Sequence, residues 1–221
     1  MDFERTMRLT RAFDRNGNER TTDHLCRTAA ALLDAIAASL SLADGPTFAS
    51  STFALALEEL QFTLGEGPGP DASAGEIVTV PDLLTSSRWP NFAPTARDHG
   101  VRAIFAYPLG SGLGAMTLYR DAIGPLTTAE SEDALVVAQV ITIRLGQLGP
   151  ATMLDGASHD EYRAEVYQAT GIVARQLSVG PAEALTRLRA HAFAEDTRLL
   201  FVARQVVDGS LHLEADTEVG R

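Results

Sequence analysis

The sequence predicts an α+β fold: an antiparallel sheet with flanking helices, followed by a small all-α domain of three helices. Three observations predict it. Short β-compatible runs alternate with helical patterns as far as residue 148. A stretch bounded by Gly149-Pro150 and Gly156 follows. Beyond it the periodicity is helical only, up to Gly209. The chain therefore divides into an arm (1–20), an α/β domain (21–148), a linker (149–158), a three-helix domain (159–209) and an acidic tail predicted to be disordered (210–221).

The arm holds five Arg and an Asn16-Gly17-Asn18 break, and reads as frayed or as a short helix before the break. Leu25, Ala29, Leu32 and Leu33 predict a helix over 22–35, with Thr22 or Asp23 as N-cap. Residues 36–42 and 47–52, split by Asp44-Gly45-Pro46, predict a hairpin. Residues 53–63 return to helical spacing through Leu57, Leu60 and Leu64, and the Gly/Pro run 65–70 stops that helix. Residues 77–80 form a short strand, and Arg88-Trp89-Pro90 opens a helix ending near His99, with Gly100 behind it. Residues 101–108 and 115–119 are strands joined by the turn 110–114. Thr127 and Glu130 have the spacing of a capping box for a helix reaching Leu148. Ser158 and Glu161 repeat that spacing before a face of Tyr162, Val166, Ala169, Val173 and Leu177. Pro181 starts the next helix, with Ala184, Leu185, Leu188, Ala192 and Phe193 along it. Asp196 or Thr197 caps the last, through Leu199, Val202, Ala203 and Val206.

Composition narrows the function classes. The chain has 221 residues and 45 % hydrophobic residues, enough for a core without disulfides. The single Cys26 reads as a small buried side chain and fits a reducing compartment. No apolar run is long enough to span a membrane and the charged N-terminus is no secretory signal, so a cytoplasmic protein is expected. The net charge is −11, and all 18 basic residues are Arg. Most of the negative charge lies before residue 149, so the three-helix domain is much the less acidic part.

Catalytic chemistry finds no constellation. The five His are not spaced as ligands for one helical face, so no metal and no cofactor are expected. Ser111 in Gly110-Ser-Gly-Leu-Gly114 imitates a nucleophile elbow, but the run joins two strands instead of a strand and a helix. The glycine runs at 65–69 and 110–114 lack the lysine of a phosphate loop. The chain is expected not to be an enzyme.

Two stretches resemble known families. Val166-Tyr-Gln-Ala-Thr-Gly-Ile-Val173, Pro181-Ala-Glu-Ala-Leu-Thr-Arg-Leu-Arg-Ala-His-Ala192 and 199–207 together resemble the ANTAR output domain. Leu57-Glu-Glu-Leu-Gln-Phe-Thr-Leu-Gly-Glu-Gly-Pro68, Val80-Pro81-Asp82-Leu83, Arg88-Trp89-Pro90, 100–109 and Leu118-Tyr119-Arg120 resemble the GAF sensor domain that accompanies ANTAR in actinobacterial proteins. The resemblance implies a regulator of transcription antitermination that binds hairpin RNA. Five positions depart from these patterns. Gly69 stands where the GAF group usually carries Cys, Thr170 where ANTAR often has a basic residue, and Gly180 where a Ser N-cap is usual. Leu200-Phe201 replace a polar pair and would form an apolar patch if exposed.

The candidate residues follow from chemistry. RNA binding needs cations for phosphate and groups that can meet unstacked bases. Gln168, Thr170, Arg175, Arg189, His191, Arg198 and Arg204 are the candidates; each also reads as ordinary solvated surface. By the GAF resemblance, a small-molecule pocket lies between the sheet and one helical layer. Its candidate lining is Leu60, Trp89, Phe92, Phe105, Tyr107 and Leu118, which read equally as plain core. Ala134, Val137, Ile141, Leu145 and Leu148 form a narrow seam that suits either a helix lying on its own sheet or a homodimer interface. Two functions remain open: an RNA-binding antitermination regulator, or a protein-interaction module whose ANTAR-like part has lost RNA binding.

Overall fold

A computed structural model describes residues 3–14, 22–43, 46–148, 160–195 and 197–213, with backbone alone for 160–163. The chain divides into two compact units, Met1–Ala157 and Ser158–Arg221. The predicted 149–158 linker, the Ser158–Glu161 capping box and most of the tail lie outside the described residues.

The first unit is built on a five-stranded, wholly antiparallel sheet of order β2-β1-β5-β4-β3. Its strands are β1 (Ala37–Leu42), β2 (Thr47–Ala49), β3 (Val78–Val80), β4 (Ala103–Leu109) and β5 (Gly114–Arg120). Successive side chains leave a strand on opposite faces, so each face collects every second residue. One face is large and apolar. It carries Leu40, Phe48, Phe105, Tyr107, Met116 and Leu118 in one buried cluster. Three helices share that cluster: α1 (Phe3–Ala12), α2 (Thr22–Leu32) and α6 (Thr128–Gln147). The opposite face is mixed: Ser39, Ser41, Thr47 and Thr117 lie on it with Val78, Val80, Ile104, Ala106, Ala115 and Tyr119. Helices α3 (Thr52–Leu64), α4 (Pro68–Ser73) and α5 (Phe92–Asp98) lie on that side with Leu57, Trp89 and Phe92.

Three readings are resolved or changed. Of the two readings of the arm, the short helix holds, over Phe3–Ala12. Leu9 and Phe13 bury against the apolar cluster, while Arg5 pairs with Asp133 at 2.5 Å and Arg144 with Asp14. The glycine-proline run after α3 is not simply a stop. Gly65 ends α3 in a left-handed conformation with φ 70°, and Pro68 then starts α4, where its missing N–H costs nothing.

The third change concerns α6. Its capping box forms in full: Glu130 N donates to Thr127 Oγ1 at 3.2 Å, and Thr127 N to Glu130 Oε2 at 2.7 Å. The seam of Ala134, Val137, Ile141 and Leu145 is fully buried in the unit's own core, with Leu148 packed against it. Ala134, Val137, Ile141 and Leu145 therefore leave no surface for a second copy to meet. The outward edge of α6 carries Leu135, Gln139 and Ile143 instead, and Ile143 is 61 % exposed.

The second unit is a trio of helices, α7 (Asp160–Leu177), α8 (Pro181–Ala194) and α9 (Leu199–Val207). Their meeting faces bury Val166, Ala169, Val173, Ala184, Leu188, Ala192, Leu199, Val202, Ala203 and Val206. Four of these ten are alanine, so the helices approach closely. Gly180 caps α8 without a side-chain bond, and Pro181 occupies the first turn. No helix among the described residues is long and apolar enough to cross a membrane.

Candidate functional site

The helical unit presents its polar groups unevenly. On α7, Ala164, Gln168, Gly171 and Arg175 form one exposed stripe at three- and four-residue spacing. Gly171 faces open space, so a ligand backbone can approach α7 closely there. Arg198 is exposed at the N-cap position of α9. Neither Arg175 nor Arg198 makes an ion pair among the described residues.

The other candidates are less available. Arg204 is exposed, but its Nε and Nη2 donate to both oxygens of Glu165 on α7, at 2.6 and 3.2 Å. Those bonds hold the Glu165 carboxyl below its ordinary value and push Arg204 up. Arg189 is half-buried and already engaged by a neighbour. His191 is half-buried on α8. Thr170 must be removed from the RNA-facing set. It is buried, and its hydroxyl donates to the Val166 carbonyl at 2.7 Å, one turn back on its own helix. Phe193, read from the sequence as part of the apolar lining of its helix, is instead 78 % exposed at the end of α8, and Tyr167, which was not singled out, also stands out on α7. Phe201 is 55 % exposed and Leu200 half-buried, so the apolar feature foreseen at 200–201 rests on Phe201.

In the sheet unit the six pocket candidates do not share one cavity. Phe105, Tyr107 and Leu118 face α1, α2 and α6; Leu60, Trp89 and Phe92 lie on the opposite side. The strand alternation that separates them is the reason. Tyr107 is pushed up to about 12 by burial, as expected of a core residue.

A buried hydrogen-bond network lies on the α3/α4 side. Ser39 Oγ donates to Glu58 Oε1 at 2.7 Å, Gln61 Nε2 to the same atom at 2.7 Å, and Tyr119 Oη to it at 2.9 Å. Gln61 Nε2 also donates to Tyr119 Oη at 2.9 Å, and Gly69 N donates to Gln61 Oε1 at 2.7 Å. Burial and then the Glu58 charge push the Tyr119 phenol well above its ordinary value. Sequence periodicity missed Glu58 and Gln61 because it credited the inner face of α3 to its leucines. The available signal was Ala54, Leu57, Glu58 and Gln61 at helical spacing.

A clasp closes the edge of this cluster. Trp89 has φ 54°, a costly conformation for a bulky side chain. Its Nε1 donates to Asp71 Oδ2 on α4 at 2.8 Å. Arg88 reaches Asp71 at 2.6 Å and Glu76 at 2.8 Å, with its guanidinium 5.0 Å from the Trp89 ring centre. Glu66 Oε1 accepts from the amides of Asn91 and Phe92 at 2.6 and 2.8 Å. The segment around α4 is thus tied to the start of α5 at several points.

Residues 158–207 match the ANTAR domain family. This segment is an ANTAR domain. It spans all three helices of the second unit, so Gln168, Arg175, Arg189, His191, Arg198 and Arg204 all belong to it. No curated protein matches the chain in sequence. Among solved structures, one neighbour is a domain of a two-component sensor histidine kinase protein from Sinorhizobium meliloti. It is 17 % identical, covers 60 % of this chain and 93 % of that one, and has a TM-score of 0.46. A second is the GAF domain of an Acinetobacter phosphoenolpyruvate-protein phosphotransferase, 12 % identical, with 66 % and 96 % coverage and a TM-score of 0.48. A bacteriophytochrome from R. palustris is 12 % identical with a TM-score of 0.42; 88 % of this chain matches 47 % of that one.

Proposed function

We propose that the chain is a cytoplasmic, non-enzymatic regulator of transcription antitermination. Its first unit acts as a GAF-like sensor of a small molecule, and its ANTAR domain binds hairpin RNA. The observation that carries this reading is the ANTAR match over 158–207, with Gln168, Arg175 and Arg198 on exposed faces of that domain. Arginine supplies phosphate contacts and Gln168 a base-reading amide, while the open backbone at Gly171 lets the RNA approach. The unit's charge is close to balanced, so two copies in a homodimer would raise avidity without new contacts. That dimer would use the outward edge of α6, at Leu135, Gln139 and Ile143, instead of the buried seam.

The test is a gel-shift titration of a leader hairpin against the full chain at several salt concentrations. Binding should weaken steeply with salt. The pair Arg175→Ala and Arg198→Ala should abolish the shift and leave the circular dichroism unchanged. A shift that ignores salt, or that survives the double substitution, counts against the reading.

A second reading is favoured by the ion pairs that occupy Arg187 and Arg204, by buried Thr170 and by exposed Phe193 and Phe201. In it the ANTAR domain is a protein-interaction module without RNA binding. Absence of any RNA shift in a folded preparation supports it.

A further inference from the structure

Two local rules are broken one turn apart on α9. The first is broken at Arg198. A helix N-terminus carries partial positive charge and favours an acceptor such as Ser, Thr, Asp or Asn at the N-cap. Here the N-cap is Arg198, a donor-only cation with no side-chain cap bond. The second is broken at Phe201. The inner face of α9 buries Leu199, Val202, Ala203 and Val206. Phe201 lies outside that face, 55 % exposed, and its ring has no polar atom to offer water. Neither side chain has a hydrogen-bond, ion-pair or ring partner among the described residues.

The two positions are neighbours. The Arg198 carbonyl accepts from Phe201 N at 2.9 Å and from Val202 N at 3.3 Å, which sets Arg198 one turn above Phe201. A helical side chain leans toward the turn before it, so Phe201 leans toward the start of α9. Gln205, half-buried and one turn further on, leans in the same way toward Phe201. The face therefore offers, in order, a cation at a positive helix end, a flat apolar ring and an amide. Asp208 ends it, and its carboxylate is taken by the Ser210 amide at 2.9 Å.

We infer that this face of α9 seats one unpaired nucleotide of an RNA loop, its base stacked on Phe201 and its phosphate held by Arg198 and the positive end of the helix. The inference rests on the RNA-binding reading above and adds to it a base contact on α9. Charge decides for an anion, since a guanidinium and a helix N-terminus both favour one. Shape decides for a base: an exposed flat ring gains most by facing another π surface, and an unstacked loop base offers one. A nucleotide carries both groups in one residue, which matches a cation and a ring one turn apart. Gln205 supplies an amide able to pair with a base edge. A paired stem hides its base faces, so the seat distinguishes loop from stem.

The test uses the full chain and a hairpin that it selects from an RNA pool with one fixed stem and a randomised loop. Gel shifts compare wild type with Phe201→Leu, which keeps apolar bulk and removes the flat ring, and with Phe201→Tyr, which keeps the ring. Circular dichroism checks that both variants fold, as substitution at an exposed position allows. Phe201→Leu should weaken binding about 5- to 150-fold and leave the salt dependence unchanged. Phe201→Tyr should bind like wild type. Arg198→Ala should instead flatten the log–log salt dependence by roughly 0.7–0.9, one phosphate contact. One abasic position in the loop should weaken wild type to the level of Phe201→Leu and leave that variant no weaker, because ring and base act as a pair. Two failures are distinct. If the folded protein retains no member of the pool, the RNA-binding reading falls and this inference falls with it. If the selected hairpin shifts equally with wild type and Phe201→Leu, this inference alone is overturned, and a changed oligomeric state of that variant in sedimentation would assign Phe201 to a protein contact.

Discussion

The two faces of one sheet follow opposite rules. The face under α1, α2 and α6 is filled by Leu40, Phe48, Phe105, Tyr107, Met116 and Leu118. The face under α3 and α4 carries Ser39, Ser41, Thr47, Thr117 and Tyr119 beside its aliphatic residues, with Glu58 and Gln61 of α3 above them. Packing large apolar groups gives stability and leaves no room for chemistry. Small hydroxylated residues give up that packing and keep hydrogen-bonding capacity where a helix can cover it. The difference teaches that the first face holds the unit together by packing, while the second keeps hydrogen-bonding groups buried under α3 and α4.

The largest expected effect tests the first half of that comparison. Phe105→Ala deletes a buried ring from the apolar face and should cost about 3–5 kcal/mol. Urea unfolding followed by Trp89 fluorescence measures it. Thr117→Val on the opposite face keeps the side-chain shape and should be neutral or stabilising in the same experiment. A similar loss from both substitutions would show that the two faces are not distinct in kind.

The next effect is smaller and lies at the edge of the apolar face. Thr127→Ala removes the N-cap of α6 and half of its capping box, and should cost about 1 kcal/mol. Glu130 is held below the ordinary glutamate range first by the Thr127 amide and then by its hydroxyl. A carboxylate with a lowered folded-state pKa stabilises above its unfolded value, and that contribution fades as pH falls through the folded value. Thr127→Ala should therefore flatten the loss of stability below the ordinary glutamate value of 4.5. An unchanged acid limb in urea melts would mean that the box contributes little.

Legibility in the sequence tracked periodicity. Strands β4 and β5, the capping box and the three helices of the ANTAR domain were readable because apolar residues recur at one period and turn residues bound them. The seam of α6 was readable as a seam, but the sequence left open whether the unit's own sheet or a second copy covers it, because a stripe of Ala134, Val137, Ile141 and Leu145 does not say what lies against it. The pocket candidates were chosen by size and apolarity. Phe105 and Trp89 therefore went together although strand alternation sends Phe105 to the far side. Glu58 was missed for the converse reason: a charged residue in a leucine-rich helix reads as solvated until a sheet of serines is laid against it. Thr170 was credited with an outward role because it flanks Ala169 at a face of small residues, while its β-branched side chain can turn back onto the Val166 carbonyl.

The smallest expected change in stability, and the most informative for the second unit, concerns Arg204. Its bidentate pair with Glu165 ties α9 to α7 at the surface. Exposed pairs of this kind contribute little to stability. Glu165→Gln should therefore leave the melting curve of the ANTAR domain nearly unchanged. It releases a guanidinium, however. If Arg204 faces RNA, the variant should shift a hairpin at lower protein concentration. Its log–log salt dependence should also steepen by roughly 0.7–0.9, the amount expected for one added phosphate contact. Acid should mimic the substitution: because Arg204 holds Glu165 below 4.5, the wild-type pair persists at neutral pH and opens only below that value. RNA affinity and salt slope that are both unchanged in Glu165→Gln would place Arg204 away from the nucleic acid, leaving Arg175 and Arg198 to carry the phosphate contacts.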